Sequence, residues 1–141
     1  MENPIVLTVN CPSCGESLID SKNTVNGRPA IRVDIELSGR RGTIYLCSEY
    51  DCFDKKSSVP LPDGAVAKMY CPHCYKRLMS NTSCKVCSAK MVNFSIEGGG
   101  DIHICSRVGC EEHYVDFTNS GNPLQRMFDK TGHKKGNPSE N

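Results

Sequence analysis

Between residues 31 and 37 the chain alternates without a break. Ile31, Val33, Ile35 and Leu37 are apolar, and Arg32, Asp34 and Glu36 between them are charged. A period of two places the apolar side chains on one face of a strand, so the pattern predicts a half-buried β-strand. Shorter apolar runs over residues 5–9, 43–46, 65–70, 101–104 and 114–117 predict further strands, as do Val92, Phe94 and Ile96. Ser38-Gly39-Arg40-Arg41-Gly42 and Glu97-Gly98-Gly99-Gly100 interrupt the pattern and predict hairpin turns, because glycine supplies the positive φ that a reversal needs. The only predicted helix starts at Asn122-Pro123, with Leu124, Met127 and Phe128 on one face and Gly132 as its stop. From about residue 133 the chain is polar and reads as a disordered tail.

The pattern occurs twice. Val9-Asn10-Cys11-Pro12-Ser13-Cys14 is echoed by Met69-Tyr70-Cys71-Pro72-His73-Cys74, sixty positions later. The run from Ile44 to Cys52 is echoed by Ile102 to Cys110, fifty-eight positions on. A unit of strand, Cys-Pro-x-Cys turn, hairpin and second cysteine pair has been duplicated. Residues 55–64, with Pro60, Pro62 and Gly64, read as the linker between the copies.

Composition turns this from a β pattern into a metal question. Leu, Ile, Val and Phe make up about a fifth of the 141 residues and Trp is absent, so two small units sharing them need a staple. The ten cysteines are the candidate staple. Met1-Glu2-Asn3-Pro4 shows neither a basic start nor an apolar run of secretory length, and no run is long enough to span a membrane. The expectation is therefore a cytoplasmic chain whose thiols stay reduced and bind metal. The net charge of +1 supplies no general field toward nucleic acid or an anionic membrane.

A Cys-x-x-Cys turn holds two thiolates close together, and two such turns brought together make the tetrahedral four-sulfur site that zinc prefers. In the first copy the expected ligands are Cys11, Cys14, Cys47 and Cys52, since that half contains no histidine. The second copy has six thiols: Cys71, Cys74, Cys84, Cys87, Cys105 and Cys110. Duplication favours Cys71/Cys74 with Cys105/Cys110. The short gap after Cys74 favours Cys71/Cys74 with Cys84/Cys87. The hairpin after Cys87 favours Cys84/Cys87 with Cys105/Cys110, and all six are expected to gather at one end. His113 or His103 is the candidate to complete a further site, so two ions are expected, or three.

Together these motifs resemble the zinc-ribbon class: a Cys-Pro-x-Cys knuckle, a hairpin and a second knuckle, here with four residues between the later cysteines where two are usual. The resemblance implies a small β-rich metal-stabilised fold. It would comprise a first ribbon over 1–54, a linker over 55–64, a second ribbon with an extra cysteine pair over 65–118, and a short helix with a flexible tail over 119–141. Zinc is the implied ion, with rubredoxin-like iron as the alternative.

Functional expectations follow from what is present and missing. Cys71-Pro72-His73-Cys74 matches the tetrapeptide of disulfide oxidases, but the βαβ frame that chemistry needs is absent from the pattern. His103 replaces Tyr45 of the first copy and reads as a strand-face side chain, and His133 lies in the tail. With no constellation for acid–base or nucleophilic chemistry and no deep pocket expected, the reading is a non-catalytic interaction module or accessory subunit docking on a larger protein. The alternative is nucleic-acid binding through Arg40-Arg41 at the first hairpin tip, with Tyr45 able to stack on a base.

Overall fold

The computed structural model describes residues 5–117. The helix expected from Asn122 and the tail beyond it lie outside the described residues, and among the described residues there is no helix.

Among the described residues nine strands form two sheets. The alternating segment becomes the longest strand, β3 (Arg28–Leu37), with Ile31, Val33, Ile35 and Leu37 all buried. It turns through Ser38-Gly39, both at positive φ (53° and 79°), into β4 (Arg40–Leu46). That is a two-residue reversal whose twist matches its strands. Arg40 and Arg41 therefore lie in β4, opposite Leu37 and Glu36, and not at the hairpin tip. The second hairpin joins β7 (Met91–Ile96) to β8 (Asp101–Cys105) through the three glycines 98–100, all at positive φ.

Two strands carry too little apolar character to be read from the pattern. β2 (Ile19–Val25) pairs with the start of β3, and its register slips between Asp20 and Thr24. There Asp20 accepts bonds from the Lys22 backbone N–H and the Asn23 amide. β5 (Lys55–Ser57) pairs with β4 inside the segment expected to be linker. Its counterpart β9 (His113–Asp116) pairs with β8 in matching register.

The halves are related by an approximate two-fold exchange. β1 (Val9–Asn10) leaves its own half and pairs with β7 through Val9↔Ile96 and Asn10↔Ser95. β6 (Lys68–Tyr70) pairs with β3 through Ile35↔Met69 and Asp34↔Tyr70. Minor contacts repeat as well: Leu7 N–H donates to Ser48 O as Ala67 N–H does to Ser106 O, both near 2.9 Å (2.8 and 2.9 Å). Strand pairing thus crosses the repeat boundary in both directions. One hydrophobic core draws on both halves, including Val9, Leu18, Val33 and Ile35 from the first and Met69, Phe94 and Val115 from the second.

Candidate metal centres

The exchange of first strands decides which cysteines meet. β1 delivers Cys11 and Cys14, and β6 delivers Cys71 and Cys74, to one place where the four sulfurs all lie within 4.8 Å of one another. Cys11 Sγ is 3.8 Å from Cys74 Sγ, and Cys14 Sγ is 3.7 Å from Cys71 Sγ. A tetrahedron of sulfurs about 2.3 Å from a central ion has edges of about 3.8 Å, so the donor set fits a tetrahedral cation. This centre joins the halves. The grouping expected from the first copy, Cys11 and Cys14 with Cys47 and Cys52, is corrected: each knuckle follows its strand onto the other half's hairpin.

The second group is Cys84, Cys87, Cys105 and Cys110, also within 4.8 Å of one another. Cys84 Sγ lies 3.7 Å from Cys110 Sγ, and Cys87 Sγ lies 3.4 Å from Cys105 Sγ. Of the three pairings open from sequence, the structure assembles the one that spans the second hairpin. The six thiols of the second half divide between two groups and do not form one cluster.

Both centres are built from the same local device. Each Cys-x-x-Cys turn closes with an N–H to C=O bond of 2.9 Å: Gly15 to Cys11, Tyr75 to Cys71 and Ser88 to Cys84. The donor residue sits at positive φ each time (78°, 65° and 70°). The turn aims backbone N–H groups at sulfur, with Ser13, His73 and Val86 each donating at 3.3 Å to Cys11, Cys71 and Cys84. These bonds favour thiolate, whereas burial opposes it. Burial pushes the Cys71 thiol up to about 12 and drives Cys105 upward as well. Cys87 goes the other way, to about 6, drawn down first by the Ala89 backbone N–H and then by Arg107. Four thiolates this close together repel one another unless a cation lies between them, so metal uptake must displace protons from the thiols that burial keeps protonated.

The described histidines stand outside both sulfur groups. His103 is buried on the strand face, its Nδ1 3.1 Å from Ser80 Oγ and its ring stacked on Tyr114 at 4.3 Å. His113 places Nδ1 2.8 Å from Glu111 O and Nε2 3.4 Å from Asp51 Oδ1, with its ring against Tyr50 and Phe53. Neither belongs to a sulfur group, which corrects the expectation that one completes a site. His73 Nε2 reaches Ser17 O at 3.1 Å, another contact between the halves.

Cys47 and Cys52 belong to neither quartet. They face Asn26, a residue the sequence reading passed over although Asn26-Gly27 is a strong hairpin signal. The second knuckles of the two halves also border a cavity of about 120 Å³ lined by residues such as Leu7, Tyr50, Phe53 and Val108. That volume is below the roughly 300 Å³ at which small-molecule pockets begin.

The described residues thus form a small β-rich protein with two four-cysteine groups able to hold metal, an arrangement compatible with zinc ribbons. No protein-family model, curated protein or solved structure matches the chain. Among the described residues no helix is long and apolar enough to cross a membrane.

Proposed function

We propose that the chain is a zinc-stabilised, non-catalytic interaction module of the reducing cytoplasm, in which one ion ties the two ribbon-like halves together and a second secures the later hairpin. The observation that carries this reading is the pair of four-thiol groups. Four sulfurs complete a tetrahedron, leaving no open position for water or substrate, as structural zinc requires. Zinc is favoured over iron as the ordinary ion of closed four-thiolate sites.

The docking role draws on the knuckle tips. Tyr75 and Val86 are each 72% exposed, and Tyr75 shares a shallow groove with Tyr70 and Arg41. Tyrosine and arginine are the side chains that most often anchor protein interfaces. The nucleic-acid alternative would use Arg40 and Arg41. Arg41 lies 4.0 Å from Glu36 and over the Tyr70 ring at 5.9 Å, so that charge is partly engaged within the protein. Elemental analysis with native mass spectrometry should give two zinc ions per chain. Affinity purification should recover a protein partner that Tyr75→Ala releases. A chain holding iron, or one retaining sub-micromolar RNA affinity at physiological salt until Arg40 and Arg41 are replaced, would overturn the corresponding part.

A further inference from the structure

Cys47 and Cys52 occupy, in the first half, the place that Cys105 and Cys110 occupy in the second. Their backbone bonds are the same: Cys47 N–H to Asp54 O at 3.0 Å answers Cys105 N–H to Glu112 O at 3.0 Å. Cys52 N–H to Glu49 O at 3.2 Å answers Cys110 N–H to Arg107 O at 3.1 Å. The facing element differs. Ser48 Oγ donates to Pro29 O as Ser106 Oγ donates to Lys90 O, so Pro29 matches Lys90 and Asn26 falls on Cys87. Where the second half presents a Cys-x-x-Cys knuckle, the first presents the Asn26-Gly27 reversal between β2 and β3.

The Asn26 backbone has an ordinary reason to be there, since asparagine tolerates φ of 56°. Its side chain does something the turn does not require. Nδ2 points between the sulfurs, 3.3 Å from Cys52 Sγ and 3.8 Å from Cys47 Sγ, and is 2.8 Å from Asp54 Oδ2. Asp54 Oδ2 is itself 3.8 Å from Cys52 Sγ. An electropositive NH₂ thus sits among two sulfurs and a carboxylate, in the position where the matching quartet encloses its ion. We propose that Cys47, Cys52 and Asp54 form a third cation site, open and exchangeable, which Asn26 closes when no ion is bound: with the amide in place these three donor atoms do not all lie within 4.8 Å of one another, as those of each quartet do, so loading requires the amide to leave and the donors to draw together.

The chemistry of the set defines its ligand. Two sulfurs select a thiophilic divalent ion such as zinc or cadmium and disfavour magnesium and calcium. Three protein donors leave a fourth position that water can fill, or the Asn26 Oδ1 once the amide turns over, since the same side chain presents a donor on one edge and an acceptor on the other. Cys47 is buried, Cys52 is half-buried, and Asn26 and Asp54 are exposed. The mouth is therefore reachable while the inner thiol is held. This site shares no ligand with the two quartets, so its fate and theirs can be read separately.

Cadmium alone is the probe. The reduced full-length chain, loaded with excess cadmium, is followed by ¹¹³Cd NMR and native mass spectrometry. Two resonances are expected in the four-thiolate region and a third well upfield, where mixed sulfur and oxygen sets fall, with three ions by mass. Cys52→Ser should remove the third resonance and leave the other two in place. Asp54→Asn, at an exposed position, should weaken the third ion by at least about tenfold, the lower end of what losing a supporting metal-site group costs. Asn26→Asp, which keeps the turn and replaces the amide nitrogen with a carboxylate oxygen, should tighten it. Only two resonances at saturation, or a third that survives Cys52→Ser or ignores Asp54→Asn, would sink the proposal. Fewer than two four-thiolate signals would instead sink the two-quartet reading above.

Discussion

A thiol at position 11 serves both halves of the chain, because its sulfur lies 3.8 Å from that of Cys74 in a group that Cys71 and Cys14 complete. Cys11→Ser is therefore expected to remove one of two ions and loosen the packing of both hairpins, whereas Cys87→Ser removes only the ion of the later hairpin. Native mass spectrometry counts the ions, and amide exchange shows which strands lose protection. A Cys11→Ser chain whose second half kept full protection would contradict the shared centre. His103 predicts a pH effect. Desolvation pulls its pKa below the ordinary value, with Asp101 and Asp116 pulling back. The unfolded imidazole then takes up a proton at higher pH than the folded one, so stability is full above about pH 6.5 and falls as pH drops below it. Urea unfolding of the metal-loaded protein should show this decline between pH 7.5 and about 6. His103→Gln, which can still bond Ser80, should flatten it. Every cysteine in the quartets was legible as a candidate ligand from its pairing along the chain. Their grouping was not, since spacing says which thiols share a turn but not which turns meet.

Among the elements, β4 carries the clearest steric constraint. A Cβ on Gly42 would run into Ser58 Oγ and lie 2.8 Å from Val59 Cγ1, with no special φ involved. Gly42→Ala should cost about 1–3 kcal/mol by pushing the segment after β5 off the sheet. A thermal or urea midpoint unchanged by the substitution would show that this segment yields freely. β3 was readable because strict alternation survives in its burial. β2 and β5 were not, for different reasons. β2 is paired along an exposed edge and bulges where Asp20 bonds its own neighbours, so its side chains report turn chemistry. β5 is Lys55-Lys56-Ser57, a short charged edge of the kind that blocks further strand addition and carries no apolar signal. The arginine pair was displaced from its expected tip because Ser38-Gly39 suffices for the turn.

Across the whole molecule, metal and core depend on each other. Phe94 and Ile35, both nearly inaccessible, belong to one core fed by both halves, and the shared quartet holds the strands that close it. Structural zinc in small domains supplies on the order of 10 kcal/mol, comparable with the ~5–15 kcal/mol net stability of a typical domain. Chelation should thus unfold the protein cooperatively, and a chelated sample that kept dispersed amide signals would refute this. The duplication was legible in the echoed motifs. The crossing of β1 and β6 was not, because the same strand satisfies either hairpin edge until the whole is assembled. That crossing has a consequence for ancestry and engineering. An exchange related by a two-fold axis is what two separate copies of one repeat would make, each lending its first knuckle to the other across a self-complementary interface. The second half alone, from Asp63 onward, should therefore associate as a homodimer around an ion held by Cys71 and Cys74 of each copy, with one further ion in each Cys84/Cys87/Cys105/Cys110 group. Sedimentation with and without chelator would show it: a dimer that falls apart when the metal is withdrawn, against a monomer in both conditions if the fused chain is what makes the exchange possible.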